Sequence, residues 1–262
     1  MFGSSWIIFK RELRQYFVSP IAYLVAFTVL LLLGFSFSTD LAFRTSQRLP
    51  PDSTIVLSNF AFLMVFFAPL LTMRLFAEEI REGTLELMMT LPTRDVDLVF
   101  GKFLGAWAFY SILLSLTLVH QAILLILTNW QPRPDVLDVN NLQAHVDYGI
   151  IIASYMGIWL YGGATIAIGI LFSALTENQI ISGFLSMTVL LFLWVGDVAG
   201  IVPASVISTE IVEALRVISL QAHYSTSFLR GIIVFEDVYF FAALIFVSLF
   251  ITTRLVESRR WR

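Results

Sequence analysis

Six separate stretches of this chain, near 20–39, 56–76, 102–128, 148–173, 179–202 and 234–254, are apolar almost throughout. Each approaches the ~20 residues that ~30 Å of hydrocarbon requires of a helix. Hydrocarbon offers backbone N–H and C=O groups no partner outside the segment, so an uninterrupted apolar run crosses it as a helix. The composition is of the same kind: 58% of residues are hydrophobic and 13% charged, with a mean hydropathy of +0.85. That excludes a soluble domain and makes the chain an all-α integral membrane protein. The first run is too long for the core of a signal peptide, and no small-residue cleavage pattern follows it. It is therefore expected to stay as the first span.

Six spans divide the polar segments between two faces, and the cations divide unevenly. One face carries Lys10, Arg11, Arg14, Arg74, Arg81, Arg94, Lys102, Arg254, Arg259, Arg260 and Arg262. The other carries Arg44, Arg48, Arg133, Arg216 and Arg230. Lys and Arg accumulate on the cytoplasmic side of membrane proteins, so both termini are expected there.

Between the second and third runs lies RLFAEEIREGTLELMMTLPTRDVDLVFGK (Arg74–Lys102). Glu78, Glu79, Arg81, Glu82 and Glu86 crowd its first half, and Arg94, Asp95 and Asp97 follow. An Asp, Lys or Arg at mid-bilayer costs about 2.5–3.5 kcal/mol on an insertion scale, so the segment belongs in water at a membrane face. Leu85, Met88 and Met89 stand at i, i+3 and i+4 and are expected to share one face of a short helix. Pro92 should end that helix by pushing Leu91 out of helical geometry. Thr93 is expected to cap the next helix, with Asp95 in its first turn. A short helix with an apolar face, pinned between two spans, offers a handle to a partner protein. Glu78, Glu79 and Glu82 read as a solvated face rather than as acid–base catalysts.

Two further segments have helical apolar spacing. Trp6, Phe9, Leu13 and Phe17 recur on one side of the N-terminal stretch, while Arg11, Glu12, Arg14 and Gln15 are expected to face away. Such a helix lies in the interface, with Trp6 at headgroup level and Lys10 snorkelling, before Ser19-Pro20 turns the chain into the bilayer. In residues 203–233, Ile207, Ile211, Leu215 and Ile218 form a stripe, and Ser208 stands where a cap is needed. Glu210, Glu213 and Arg216 occupy other faces, so this region is expected to lie on the outer leaflet or dip into it. The connections at 40–55 and 129–147 are too short to fold as domains.

Catalytic motifs are missing. The sequence holds no G-x-x-x-x-G-K-[ST] loop, no G-x-S-x-G elbow and no cysteine. His120, His145 and His223 lie in different segments without a second ligand at metal spacing, so no metal site is expected. A net charge of −3 leaves no basic footprint for nucleic acid. Within the spans, His120 and Gln121 in the third and Asp197 in the fifth are candidates for a substrate path. Gly101 and Gly105, and Gly157, Gly162, Gly163 and Gly169, allow close helix packing, expected within the subunit rather than across a dimer seam. Pro69 is expected to kink the second span.

The segment EEIREGTLELMMTLPTRDVDLVFGKFLGA (Glu78–Ala106) closely resembles the loop of ABC-2-type transporter permeases, E-E-x-x-x-G-T-x-E-x-L-x-x-x-P followed by a charged turn and G-K. The opening KRELRQYFVSPIAYLV (Lys10–Val25) is similar to the gliding-motility (GldF-type) branch; RGIIVFED (Arg230–Asp237) and LVESRRW (Leu255–Trp261) vary that branch's pattern. The resemblance implies a type V exporter-like architecture and a half-transporter in a bacterial cytoplasmic (inner) membrane. It would pair with a second permease subunit, identical or related, and with separate ABC ATPase subunits holding the ATP and magnesium. A membrane partner with a large extracytoplasmic domain often accompanies the branch. The implied division is a connecting helix in 1–19, a six-span domain in 20–254 and a basic tail in 255–262. Residues 77–101 form the coupling loop and 203–233 the external re-entrant region. By the same resemblance Glu78, Glu79, Glu82, Gly83, Thr84, Leu85, Glu86, Met88, Met89 and Pro92 meet the ATPase. Trp6, Phe9, Leu13, Arg14 and Phe17 form the connecting helix, and Ile207, Ile211, Leu215 and Ile218 an external gate. The implied function is ATP-driven export or extrusion. A non-transporting anchor or scaffold for an ATPase-driven envelope or motility complex is the alternative; a secondary carrier would show paired mid-membrane charges and inverted repeats, neither of which is found.

Overall fold

The computed structural model describes residues 2–47, 49–90, 94–130, 147–198 and 208–259. Regular structure among them is helical: α1 (Phe2–Val18), α2 (Pro20–Gln47), α3 (Ile55–Thr72), α4 (Ala77–Arg81), α5 (Thr84–Met89) and α6 (Asp95–Leu116). There follow α7 (Leu118–Trp130), α8 (Tyr148–Leu175), α9 (Gln179–Val198), α10 (Thr209–Ile218), α11 (Leu220–Thr226), a 3-10 turn (Phe228–Arg230) and α12 (Phe235–Arg259). Among the described residues, six helical stretches are long and apolar enough to cross a membrane: α2, α3 with α4, α6 with α7, α8, α9 and α12.

The core forms around α8, which packs against α3, α6, α9 and α12. Its glycines make this possible. A Cβ at Gly162 would strike the ring of Tyr110 on α6, and one at Gly169 would strike Thr72 on α3. The close approach lets Tyr110 donate its hydroxyl proton to the Ile158 carbonyl at 2.5 Å. Small residues serve membrane cores in this way because lipid supplies no hydrophobic force between helices and contact must come from proximity.

Several element ends differ from the apolar runs. The second span stops being helical at Thr72, inside its run, three residues after Pro69. There Ser173 of α8 accepts from the backbone N–H groups of Phe76 and Ala77 at 3.0 and 3.1 Å, stabilising a turn into α4. The first span continues to Gln47, held by Arg44 paired with Asp40 and Asp52 at 2.8 and 2.9 Å. The third starts at Asp95 and is interrupted at Thr117. Its N-cap is Arg94, which makes no side-chain cap bond, with Asp95 and Asp97 in the first turn. The expected roles of Pro92 and Thr93 fall outside the described residues, as do Ile207 and nearly all of 129–147. Ser208 occupies the N-cap of α10 as expected, but its hydroxyl makes no cap bond. Polar residues continue a helix when its hydrogen bonds can be completed, so hydropathy places these ends poorly.

Candidate functional site

Helix α1 lies lengthwise on α6. Ser5 donates to Asp97 at 2.7 Å, and Tyr16 stacks on Phe109 with centroids 5.0 Å apart. Between these contacts, a Cβ at Gly101 would come within 2.8 Å of Ile8, and one at Gly105 within 2.6 Å of Glu12. The Gly101/Gly105 pair therefore seats α1 inside the subunit, as expected. The buried side of α1 runs through Ser5, Glu12 and Tyr16, with Ile8, Phe9 and Leu13 partly covered. Trp6, Arg14 and Phe17 are exposed, and Lys10 rests over the Trp6 ring at 5.2 Å.

This corrects the expected orientation: Glu12 does not face away. Its side chain is 1% exposed and meets Lys102 of α6, also 1% exposed, at 3.2 Å. The Lys102 ammonium donates further to Glu79 of α4 and to the Leu75 carbonyl, each at 2.7 Å. It also lies 5.1 Å from the centre of the Phe76 ring. Arg11 completes the group, 2.5 Å from Glu12 and 3.2 Å from Glu79. Two cations and two carboxylates thus join three elements in a charge-balanced cluster, and Lys102 holds an acceptor from each of the other two. Burial opposes the Arg11 charge, but the two glutamates outweigh it and raise its affinity for the proton. Burial, reinforced by the Glu12 carboxylate, pushes the Tyr16 phenol well above its usual range. Its hydroxyl donates to the Leu71 carbonyl at 2.8 Å.

The expected solvated acidic face is only partly so. Glu82 is exposed and Glu78 half-buried, but Glu79 is mostly enclosed by the cluster. Gly83 joins α4 to α5 at φ +69°, a left-handed conformation that glycine adopts without a Cβ penalty. In α5, Leu85 and Met89 turn into the chain's own core at 3% and 8% exposure, and Met88 packs against that core. The apolar side chain left outward is Leu87, 70% exposed, beside the exposed Glu86. Periodicity identified the apolar face, yet could not tell whether the chain itself or a partner covers it. Between α1 and the α4–α5 turn lies a cleft of about 260 Å³ lined by Glu12, Gln15, Arg74, Glu79, Thr84 and Met88.

The other candidates are dispersed. Gln121 is 3% exposed and donates to the Ser53 carbonyl at 2.7 Å. His120 meets the edge of Phe37, centroids 5.0 Å apart, and Asp197 sits at the C-terminal end of α9. Ile211, Leu215 and Ile218 of α10 are not buried by this chain. His223, apparently solitary in the sequence, is 2.6 Å from Asp237. Among the described residues no cluster of three His, Asp or Glu side chains forms a metal site.

Residues 45–253 match the family model described as ABC-2 family transporter protein. No curated protein matches the chain.

Proposed function

The chain belongs to the ABC-2 transporter family, and from that premise we propose that it exports or extrudes its substrate by relaying ATP-driven movement through α5. It is a multi-pass transmembrane permease subunit of an ABC transporter, a family that works with an ABC ATPase. The ATPase subunits supply ATP and magnesium, and a second permease subunit completes the pathway. Both ends and the α4–α5 turn face the cytoplasm of a bacterial inner membrane, by the Lys/Arg distribution. The gliding-motility branch, with its partner bearing a large extracytoplasmic domain, is the closer relationship we propose from the opening and closing motifs. On the opposite side, α10 and its stripe form the shallow external gate.

The observation that carries this reading is the Lys102 cluster. A push on α5 reaches Glu79 through the Gly83 turn, and Lys102 then ties that displacement to α6 and α1. Packed elements respond by moving as bodies rather than by deforming. Leu87 and Glu86 are the side chains of α5 presented to the ATPase, with Glu82 beside them.

The test separates docking from folding. Leu87→Asp should strip the ATPase from the purified complex while the permease stays membrane-inserted. Leu85→Asp, which strikes the chain's own core, should instead lower the yield of folded permease. Undiminished co-purification with Leu87→Asp would overturn the docking role. Single cysteines at Ser46 and Ser258, in a chain with no native cysteine, test the orientation. An impermeant thiol reagent should label the first and not the second in intact cells. A scaffold would hold the ATPase but show no nucleotide-driven movement of α5.

A further inference from the structure

His223 lies on α11 between two acceptors from different helices. Its Nδ1 is 2.6 Å from Oδ1 of Asp237, in the first turn of α12. Its Nε2 is 3.0 Å from the carbonyl oxygen of Val217, in the last turn of α10. The ring stacks on Phe240, centroids 3.9 Å apart, and the His223 carbonyl accepts from Ser227 Oγ at 2.6 Å. The imidazole therefore has fixed orientation and bridges α10 to α12.

Proton counting determines what this arrangement requires. A carbonyl only accepts, and an ionised carboxylate only accepts, whereas a neutral imidazole has one donor and one lone pair. Neutral His223 beside ionised Asp237 would turn a lone pair toward one of two acceptors. Both contacts are satisfied when the pair holds two protons, one shared between Nδ1 and Oδ1 and one on Nε2. That holds whether the shared proton is assigned to the ring or to the carboxyl. Loss of one proton to solvent breaks one bridge.

We propose that His223 and Asp237 form a proton-operated clasp that fastens α10 to the head of α12. The placement favours the closed form in a further way: Val217 offers one of the carbonyls that a helix end leaves without an intrahelical partner. A Cβ at Gly196 of α9 would strike the Leu215 carbonyl and the Ser219 side chain, so the C-terminal end of α10 packs closely on α9. Other charged groups on the surrounding elements are Glu210, Glu213 and Arg216 on α10, Arg230 in the 3-10 turn and Glu236 beside Asp237, and all are exposed. Tyr224 on α11 and Tyr155 and Tyr161 on the adjoining α8 are the neighbouring phenols, and α9 brings Asp197 to its C-terminal end. His223 is partly exposed, which gives the proton a route to solvent.

This inference rests on the pair's geometry and is independent of the transport reading. Nitroxide labels on Glu213→Cys and Tyr239→Cys, both exposed positions, report the α10–α12 distance by pulsed electron resonance in the full chain in lipid nanodiscs. At about pH 5.5 a single narrow distance is expected, and at about pH 8.5 a second, longer population, the change being reversible across the range where histidine charge responds. Asp237→Asn is the decisive variant. An amide donates to Nδ1 while Nε2–H still reaches Val217, so neutral His223 satisfies both contacts and the narrow distance should persist at both pH values. His223→Phe should give the broad distribution at both. A wild-type distance that ignores pH, or an Asp237→Asn variant that titrates like wild type, overturns the clasp.

Discussion

The two ends of the helical bundle solve one problem with different chemistry. On the α1 face, Lys102 joins α1, α4 and α6 by taking acceptors from Glu12, Glu79 and Leu75. On the α10 face, His223 joins α10 and α12 by facing Val217 and Asp237. In each, a nitrogen-bearing side chain with more than one acceptor ties separate helices together. The first contains no histidine and encloses Lys102 and Glu12, with Arg11 at its exposed edge; the second is centred on a partly exposed histidine. Histidine is the side chain whose ordinary charge change falls between pH 5 and 8. On the two proposals made above, the first joint is expected to work at constant pH and the second to respond to the medium.

Lys102→Met should have the largest effect. It leaves Glu12 and Glu79 with the half-exposed Arg11 as their shared cation, and loss of one partner of a buried ion pair costs up to about 3–5 kcal/mol. Thermal unfolding in detergent should show a drop of that order, equal at pH 6 and at pH 8 within error. A drop that differs between the two pH values would mean that the cluster depends on a histidine-like group after all. Gly162→Ala comes next and touches neither joint. The added methyl meets the Tyr110 ring, and overpacking of this kind costs about 1–3 kcal/mol. The far-side pair should give a smaller, pH-dependent effect. Hydrogen bonds to a charged group contribute about 1.5–3 kcal/mol, part of which solvent recovers at this open site. Wild type should lose stability relative to Asp237→Asn as pH rises, measured as a shift in Tm. Leu87→Asp should change Tm least, within about 0.5 kcal/mol, as exposed substitutions do, while removing the bound ATPase. A large loss of stability there would mean that Leu87 is structural.

Much of the architecture was legible because lipid is a severe solvent. Twenty apolar residues have one way through hydrocarbon, so six runs gave six spanning candidates near their expected places. The Glu78–Ala106 motif likewise identified the family that residues 45–253 match. Orientation within the helices was less legible. An apolar face must be covered, but in a membrane protein lipid, a second subunit and the chain's own core are equally apolar covers. The motif resemblance points Leu85 and Met89 at a partner, yet the core covers them, and the exposed apolar member of α5 is Leu87. Charge alone predicts an outward Glu12. It is inward because Lys102, ninety positions later, lies against it.

The helical class, the six apolar runs, the short helix between the second and third and the family can all be read along the chain. Each follows from composition or from a contiguous motif, since bilayer thickness and backbone hydrogen bonding act on a segment whatever its neighbours. Which charges are buried together emerges only from packing in three dimensions. Lys102 with Glu79 and Glu12, and His223 with Asp237 and Val217, are pairings between separate helices. A buried charge is tolerable only beside its counter-charge or hydrogen-bond partner. Whether that partner is present depends on how the helices pack, and packing here was set by glycines whose role is visible only once the opposing side chain is in place.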